Sequence, residues 1–480
     1  MNAPLRRVAI SVLVLFTLLI VNANYVQVVR SDELRTNPSN KRQIIEEYDR
    51  ERGSIVVDGT AIASSTQTDD DLKYLRQYAD GPTYAAVTGY YSLTYGSAGI
   101  ERAENDLLTG EDARLFTRRL GDIFTGRDPS GGDVVLTLDA ATQQAAMAAL
   151  DGVTGAVVAL DPKTGAILAL ASTPTFDPNQ LSSHDRTAIS AYATGLAAAD
   201  PDPRSNQATQ ELYPPGSVFK VVVSAAALTS GKYAPDTVVP APDVLTLPGT
   251  STTLKNYNGE TCDPSGQESL EAALTESCNT AFAQLGIDLG EDKVRSMAEA
   301  FGMDGEDFDV PIPVQGSTMG DVDGDAQLGQ SSIGQFNVKV TPLQAAMIAA
   351  AVADKGTLMK PYLVDQLRAP DLTVLDQTDP EKLSQPVTAA VADQLTEMML
   401  SVVQNGTGRK ARIPGVEVAG KTGTAQNAGP DHNWFVGFAP ADDPKIAVAV
   451  FIANGGGTGG DTSAPIASTV MQAYLDGNGG

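Results

Sequence analysis

Ser217 and Lys220 stand three residues apart, just after Pro214, Pro215 and Gly216 and at the head of the apolar run 221–228. Val, Ala and Leu fill that run on every side with no Gly or Pro, which predicts a buried helix. The proline pair and glycine put Ser217 at the helix start, with Lys220 on the same face one turn later. A hydroxyl beside an amine at a helix N-terminus is the pattern of an activated nucleophile. A neutral amine can take the hydroxyl proton, while free backbone N–H groups face a developing oxyanion. The amine stays neutral only if burial or a second cation disfavours its charged form. Alone, the pair reads as a capping serine followed by a lysine that snorkels to solvent.

Two further elements change that reading. Ser277 and Asn279 interrupt a helical pattern over residues 269–286, and Lys421-Thr422-Gly423-Thr424 follows a strand-like stretch at 416–419. Singly these also have plain readings. Ser277 would cap a helix beginning at Asn279 and Thr280, Lys421 would be a strand-edge charge, and Gly423 a bulge.

The rest of the chain supplies the elements that must hold these groups. Apolar strands at 156–160 and 166–171 are joined by the turn sequence Asp161-Pro162-Lys163-Thr164-Gly165. Residues 231–266, rich in Pro and Gly, read as loop. Thr341-Pro342 opens a helix running through Ala353, and a second amphipathic helix covers 388–404. Strands at 434–438 and 446–453 precede a closing helix at 463–475. Helices around an antiparallel sheet built from both ends of this region make the fold class α+β. Upstream, 53–57 and 133–139 read as strands, 100–120 and 142–150 as helix. A boundary near Asp151 and Gly152 divides the chain into 1–30, an anchor; 31–151, a mixed non-catalytic domain; and 152–480, the catalytic domain.

Bulk composition narrows the chemistry. Against 33 Lys and Arg stand 59 Asp and Glu, a net charge of −26, which argues against a nucleic-acid partner. His184 and His432 are the only histidines, too few and too far apart for a Ser-His-Asp triad or a typical metal site. Hydrolytic or acyl-transfer chemistry here must run without imidazole, and no metal or cofactor is expected. Arg6 and Arg7 precede an apolar stretch extending to Val29, long enough for one tilted membrane crossing, with the N-terminus in the cytoplasm and the remainder outside. A cleaved signal peptide ending near Val21-Asn22-Ala23 is the rival, and it exports the chain equally. Fifteen residues separate Cys262 from Cys278. In an oxidising space they could close one disulfide, adding about 3 kcal/mol; otherwise they are two small buried thiols.

Ser217-x-x-Lys220, Ser277-x-Asn279 and Lys421-Thr422-Gly423, in that order, resemble the penicillin-binding proteins and serine β-lactamases. Over nearly its whole length the chain resembles the class B penicillin-binding proteins, of the actinobacterial penicillin-binding protein A type. Arg52-Gly53-Ser54-Ile55, Leu136-Thr137-Leu138-Asp139, the hairpin 155–165, Gly334-Gln335 and Val340-Thr341-Pro342-Leu343-Gln344 carry that likeness too. After Ile55 the family's arginine-containing continuation is replaced by Val56-Val57-Asp58-Gly59.

The resemblance implies a serine-type D,D-transpeptidase acting on peptidoglycan stem peptides ending in D-Ala-D-Ala and acylated by β-lactams. Its transpeptidase domain would be an antiparallel sheet flanked by helices, behind an elongated N-terminal domain and one membrane helix. Ser217 would be the nucleophile and Lys220 its base. Ser277 would relay a proton, and Asn279 would orient Lys220 and the substrate amide. Lys421, Thr422, Gly423 and Thr424 would bind the substrate, its terminal carboxylate held by Lys421, Thr422 and Thr424. The backbone N–H groups of Ser217 and Thr424 would form the oxyanion hole. A SEDS-type glycosyltransferase in the membrane is the implied partner. A β-lactamase would share acylation, but the Glu-x-x-Leu-Asn loop of class A enzymes is missing between Asn279 and Lys421. A D,D-carboxypeptidase, a β-lactam sensor and a silent scaffold remain the alternatives.

Overall fold

The computed structural model describes residues 2–30, 47–116, 130–305 and 310–478. The proposed domain limit at 30/31 and the end of the 100–120 helix lie outside the described residues. Asn2–Asn24 is helical and continues as a π turn over Tyr25–Val29. Within it, Arg6–Val28 is long and apolar enough to cross a membrane, and among the described residues its apolar window is not buried.

The catalytic half is organised on a five-stranded antiparallel sheet. Its order is Ala419–Ala425, His432–Ala439, Ile446–Ile452, Gly155–Leu160 and Ile167–Thr173. Strands from the two ends of this half thus lie side by side in its middle, Ala449 opposite Val158. Every residue of the two central strands, Ile446–Ile452 and Gly155–Leu160, is buried, and alternate side chains enter different cores. Val157, Ala159, Val448 and Val450 face the closing helix Ser463–Asn478 and the helix Ala140–Ala149. Ala156, Val158, Ala449 and Phe451 face the other core, where Pro342–Ala353 lies. That helix is buried at every position, and its six alanines let it lie close to the sheet; Thr341 caps it, accepting from the Gln344 N–H at 3.1 Å.

The first sheet has six strands in the order Val374–Gln377, Val364–Arg368, Asp133–Leu136, Ile55–Val57, Thr60–Gln67 and Tyr74–Tyr78. Two of these come from far downstream, so residues 364–377 leave the catalytic half to complete a sheet begun before residue 58. The stretch read as one helix from residue 100 is broken instead into Gly99–Ala103, Asn105–Leu108 and a 3-10 turn at Ala113–Leu115. Helix Arg186–Ala197, opened by the Asp185 side chain on the Thr187 and Ala188 N–H groups, is absent from the sequence reading. The region 231–266, expected as loop, contains three strands. Val238–Pro240 pairs with Gln267–Ser269, and Val244–Thr246 with Thr253–Lys255. Their three-residue length explains why no alternation reveals them.

A buried ion cluster ties the first sheet to its helices. Arg52 Nε and Arg76 Nε each donate to one oxygen of Glu101 at 2.6 Å, and the Tyr78 hydroxyl donates to the same carboxylate at 3.0 Å. None of the three charged side chains is more than 5% exposed. The two guanidiniums outweigh the burial of Glu101 and hold its carboxyl below the usual carboxylate range. Removing one partner from such a cluster strands the others in low dielectric. Glu101→Gln is therefore expected to cost about 3–5 kcal/mol, read as a marked fall in the thermal unfolding midpoint of the full chain.

Candidate active site

Ser217 sits in a 3-10 turn, Gly216–Phe219, that passes directly into the α-helix Lys220–Thr229. Three contacts hold this turn. Tyr213 exchanges both backbone hydrogen bonds with Val340 (3.0 and 2.9 Å), and the Gly216 N–H donates to Gly334 O at 2.9 Å. The single tryptophan, Trp434, is fully buried and donates Nε1–H to Pro214 O at 3.0 Å. Gly216 has φ +53°, and a Cβ there would stand 2.6 Å from Thr424 O. Only glycine permits the nucleophile turn to press against the strand Ala419–Ala425 this closely. The contact brings the backbone at Ser217 beside that at Thr424, where the two oxyanion donors are expected.

Ser277 and Asn279 lie at a break between helices Leu270–Glu276 and Asn279–Leu289. Ser277 is not the cap of the second helix; it ends the first in a left-handed conformation (φ +66°, ψ +42°). A residue with a Cβ adopts this rarely and under constraint. The conformation turns both its carbonyl and its hydroxyl toward the lysines. Lys220 Nζ donates to Ser277 O (2.7 Å) and Asn279 Oδ1 (2.8 Å) and stands 3.3 Å from Ser277 Oγ. Lys421 Nζ donates to Ser277 Oγ (2.9 Å) and Thr422 O (3.0 Å). Lys220, Ser277, Asn279 and Lys421 thus form one connected group. Ser217 opens on the same cleft, but its hydroxyl makes no hydrogen bond to Lys220 among the described residues. The amine is turned toward Ser277 and Asn279, and contacts between a base and its nucleophile commonly tighten only when substrate binds.

Both lysines are fully buried, and the electrostatics follow. Burial, reinforced by the charge of Lys421, pushes the Lys220 amine well below the usual lysine range. Burial alone brings Lys421 down to about 7. A neutral amine has two N–H donors and one lone pair. Ser277 O and Asn279 Oδ1 take the donors of Lys220, leaving its lone pair free to accept a proton. The plain reading of Lys421 is a strand-edge charge. Its strand is indeed the sheet's edge, but Lys421-Thr422-Gly423 lies inside the strand, and Lys421 is paired in register with Val436 and covered.

The cleft at Ser217 has a volume of about 270 Å³ and is lined by Ser277, Asn279, Thr422 and Thr424, among others. Several of its residues escape sequence reasoning. Asn256, 23 residues upstream, caps the Asn279 helix through its side chain, accepting from the Asn279 and Thr280 N–H groups at 2.9 and 3.1 Å. Thr407 and Thr458 also line the cleft, Thr407 by a 2.6 Å hydroxyl contact with Thr422. A loop that only tertiary packing brings near has no local signal to find it. Cys262 and Cys278 are disulfide-bonded. Cys278 lies between Ser277 and Asn279, so the bond ties the cleft wall at residues 256–262 to the catalytic break. Beneath them Glu268 is 8% exposed; burial and the nearby carboxylates of Glu276 and Asp263 raise it to about 7, against the pull of Lys220.

Residues 155–472 match the model of the penicillin binding protein transpeptidase domain. The chain belongs to the penicillin-binding protein transpeptidases. Residues 52–134 match the penicillin binding protein A dimerisation domain. Among curated relatives, the peptidoglycan D,D-transpeptidase PbpA of Mycolicibacterium smegmatis is 46% identical, with 99% of each chain covered. The protein of that name from Mycobacterium tuberculosis is 45% identical, covering 99% of this chain and 100% of its own. The solved structure of penicillin-binding protein A from M. tuberculosis as a ceftriaxone acyl-enzyme complex superposes with a TM-score of 0.87 at 44% identity, covering 90% of this chain and 100% of that one. The D,D-transpeptidase domain of a peptidoglycan glycosyltransferase from Eggerthella lenta gives 0.79 at 34% identity, with 90% and 99% covered.

For this transpeptidase the two-lysine geometry predicts a pH dependence with a definite sign. With Lys220 as the proposed base, acylation is expected to slow as pH falls through its lowered pKa, because only the neutral amine can take the proton. Lys421→Gln removes the charge that helps keep Lys220 neutral. The acid limb of the β-lactam acylation profile is then expected to move to higher pH, by on the order of one unit, whatever happens to the plateau rate.

Proposed function

We propose that this chain is a peptidoglycan D,D-transpeptidase that cross-links stem peptides through a Ser217 acyl-enzyme, and that β-lactams acylate the same serine. The observation that carries this reading is the position of Ser277 Oγ, within 2.9 Å of the Lys421 amine and 3.3 Å of Lys220. In the first step Ser217 Oγ attacks the carbonyl between the two terminal D-alanines, and its proton passes to Lys220. The backbone N–H groups of Ser217 and Thr424 receive the oxyanion; a donor of this kind is worth about a hundred- to a thousandfold in rate. Protonated Lys220 returns the proton through the Ser277 hydroxyl to the departing amine, and D-alanine leaves. Thr422 and Thr424, with Lys421 behind them, hold the terminal carboxylate, and Asn279 orients Lys220 and the substrate amide. Gly423 lets the strand approach the nucleophile turn, since a Cβ there would stand 2.8 Å from Pro215 O. The amine of a second stem then attacks the ester along the reverse proton route and forms the cross-link.

The apolar N-terminal helix serves as a single-pass anchor, its arginines on the cytoplasmic side and the catalytic half outside, where peptidoglycan lies. Residues 31–151 form the non-catalytic domain and 152–480 the catalytic one, with residues 364–377 bridging the two. A SEDS-type glycosyltransferase, contacted through the anchor and first domain, supplies the nascent strands.

Ser217→Ala is expected to abolish covalent labelling by fluorescent penicillin without altering the fold, and Lys220→Ala to slow acylation by several orders of magnitude. Retained label, or near-normal rates, would refute those roles. Purified full-length protein supplied with lipid-linked polymer should yield cross-linked stems. Product that is only trimmed of D-alanine would make the protein a carboxypeptidase instead, and acylation by penicillin with no product from stem peptide would make it a sensor.

A further inference from the structure

Helix Ala389–Gln404 ends in the turn Asn405-Gly406-Thr407-Gly408, which enters the cleft from a direction unconnected with the three catalytic segments. The turn is clamped on two sides. A Cβ on Gly406 would lie 2.1 Å from Thr275 O, two residues before Ser277, and one on Gly460 would lie 2.3 Å from Thr407 O. The Thr407 N–H donates to Thr275 O at 3.3 Å, and the Thr275 hydroxyl bonds Ser401 Oγ at 2.9 Å. Held in this way, Thr407 presents its hydroxyl to the cleft 2.6 Å from Thr422 Oγ1, the residue after the buried Lys421.

Two hydroxyls in contact share one hydrogen bond and keep one proton spare. Whichever of the two donates, the chain polarises the remaining O–H, which belongs to a residue lining the cleft. A polarised hydroxyl beside a buried amine suits an anion such as a terminal carboxylate better than an ester in its place, whose carbonyl accepts only a weaker, uncharged hydrogen bond. Close by, Thr424 Oγ1 already accepts from the Gly459 N–H at 3.3 Å, which keeps its own proton available for the same anion.

We propose that Thr407 is a specificity-determining residue, its hydroxyl joining that of Thr422 to select substrates and inhibitors with a free carboxylate. The inference rests on the reading of Thr422 and Thr424 as the carboxylate's partners. Thr407 contributes by orienting and polarising Thr422, and it takes no part in proton transfer at Ser217.

The test compares acylation of the full-length protein by benzylpenicillin and by its methyl ester. Thr407→Val, which keeps shape and removes the hydroxyl, is expected to lower the second-order rate for the free acid about ten- to a hundredfold and to leave the ester within about twofold. Thr407→Ser should restore the free-acid rate. Equal losses for acid and ester would make Thr407 a packing residue, and no loss for either would remove it from the site; both overturn the proposal. Thermal unfolding of each variant separates a folding defect from a binding one. Thr422→Val distinguishes the two levels of the argument. If it costs free-acid acylation while Thr407→Val does not, only the role of Thr407 fails. If Thr422→Val also spares the free acid, the carboxylate assignment in the proposed function fails with it.

Discussion

Two lysine amines buried within reach of one serine hydroxyl form the constraint on which the rest of the structure depends. Each amine costs several kcal/mol to bury as a cation, so burial pushes Lys220 well below the usual lysine range and brings Lys421 down to about 7. That is the physical basis for proposing Lys220 as the base in a protein with two distant histidines. Every larger feature of the catalytic half preserves this arrangement. The edge strand carries Lys421 beneath its neighbours, the left-handed turn at Ser277 aims a carbonyl and a hydroxyl at the amines, and Asn279 takes a donor that would otherwise bind solvent.

Such a group must be rigid, because an amine whose hydrogen bonds loosen draws in water and recovers its proton. Rigidity comes from unrelated pieces of chain locking the catalytic segments from behind. Trp434 bonds the proline ahead of Ser217, Val340 pairs with Tyr213, and Asn256 caps the helix that begins at Asn279. The disulfide adds a covalent link at Cys278, inside the Ser277-x-Asn279 motif. The cleft is therefore built by convergence of segments some 200 residues apart in sequence, and its walls have little freedom to move singly.

The two halves of the protein are also less separable than a linear division suggests. Helix Ala140–Ala149 packs on the catalytic sheet, while Val364–Arg368 and Val374–Gln377 complete the first sheet. The Arg52–Glu101–Arg76 cluster joins that first sheet to its helices. A buried ion cluster there specifies one pairing of strand and helix, and through the shared strands the first domain is joined firmly to the catalytic one.

How much of this was legible beforehand follows from the range of each interaction. The buried helix after Ser217, the capped helix at Thr341, the central strands and the helical break at Ser277 depend on neighbouring residues, and periodicity, caps and turn residues report them. The three-residue strands within 231–266 and the fragmentation after Gly99 did not follow, because such short pieces carry no period and tertiary pairing decides them. Motif residues gave the chemistry because Ser217, Lys220, Ser277, Asn279 and Lys421 are unusual in kind and order. Thr407, Thr458, Asn256 and Glu268 are ordinary residues made special only by what surrounds them. Local sequence thus determined which groups could react and which segments would be helix or strand. Folding alone decided that both lysines are buried against Ser277, since desolvation and charge proximity are properties of a three-dimensional neighbourhood that no stretch of chain contains by itself.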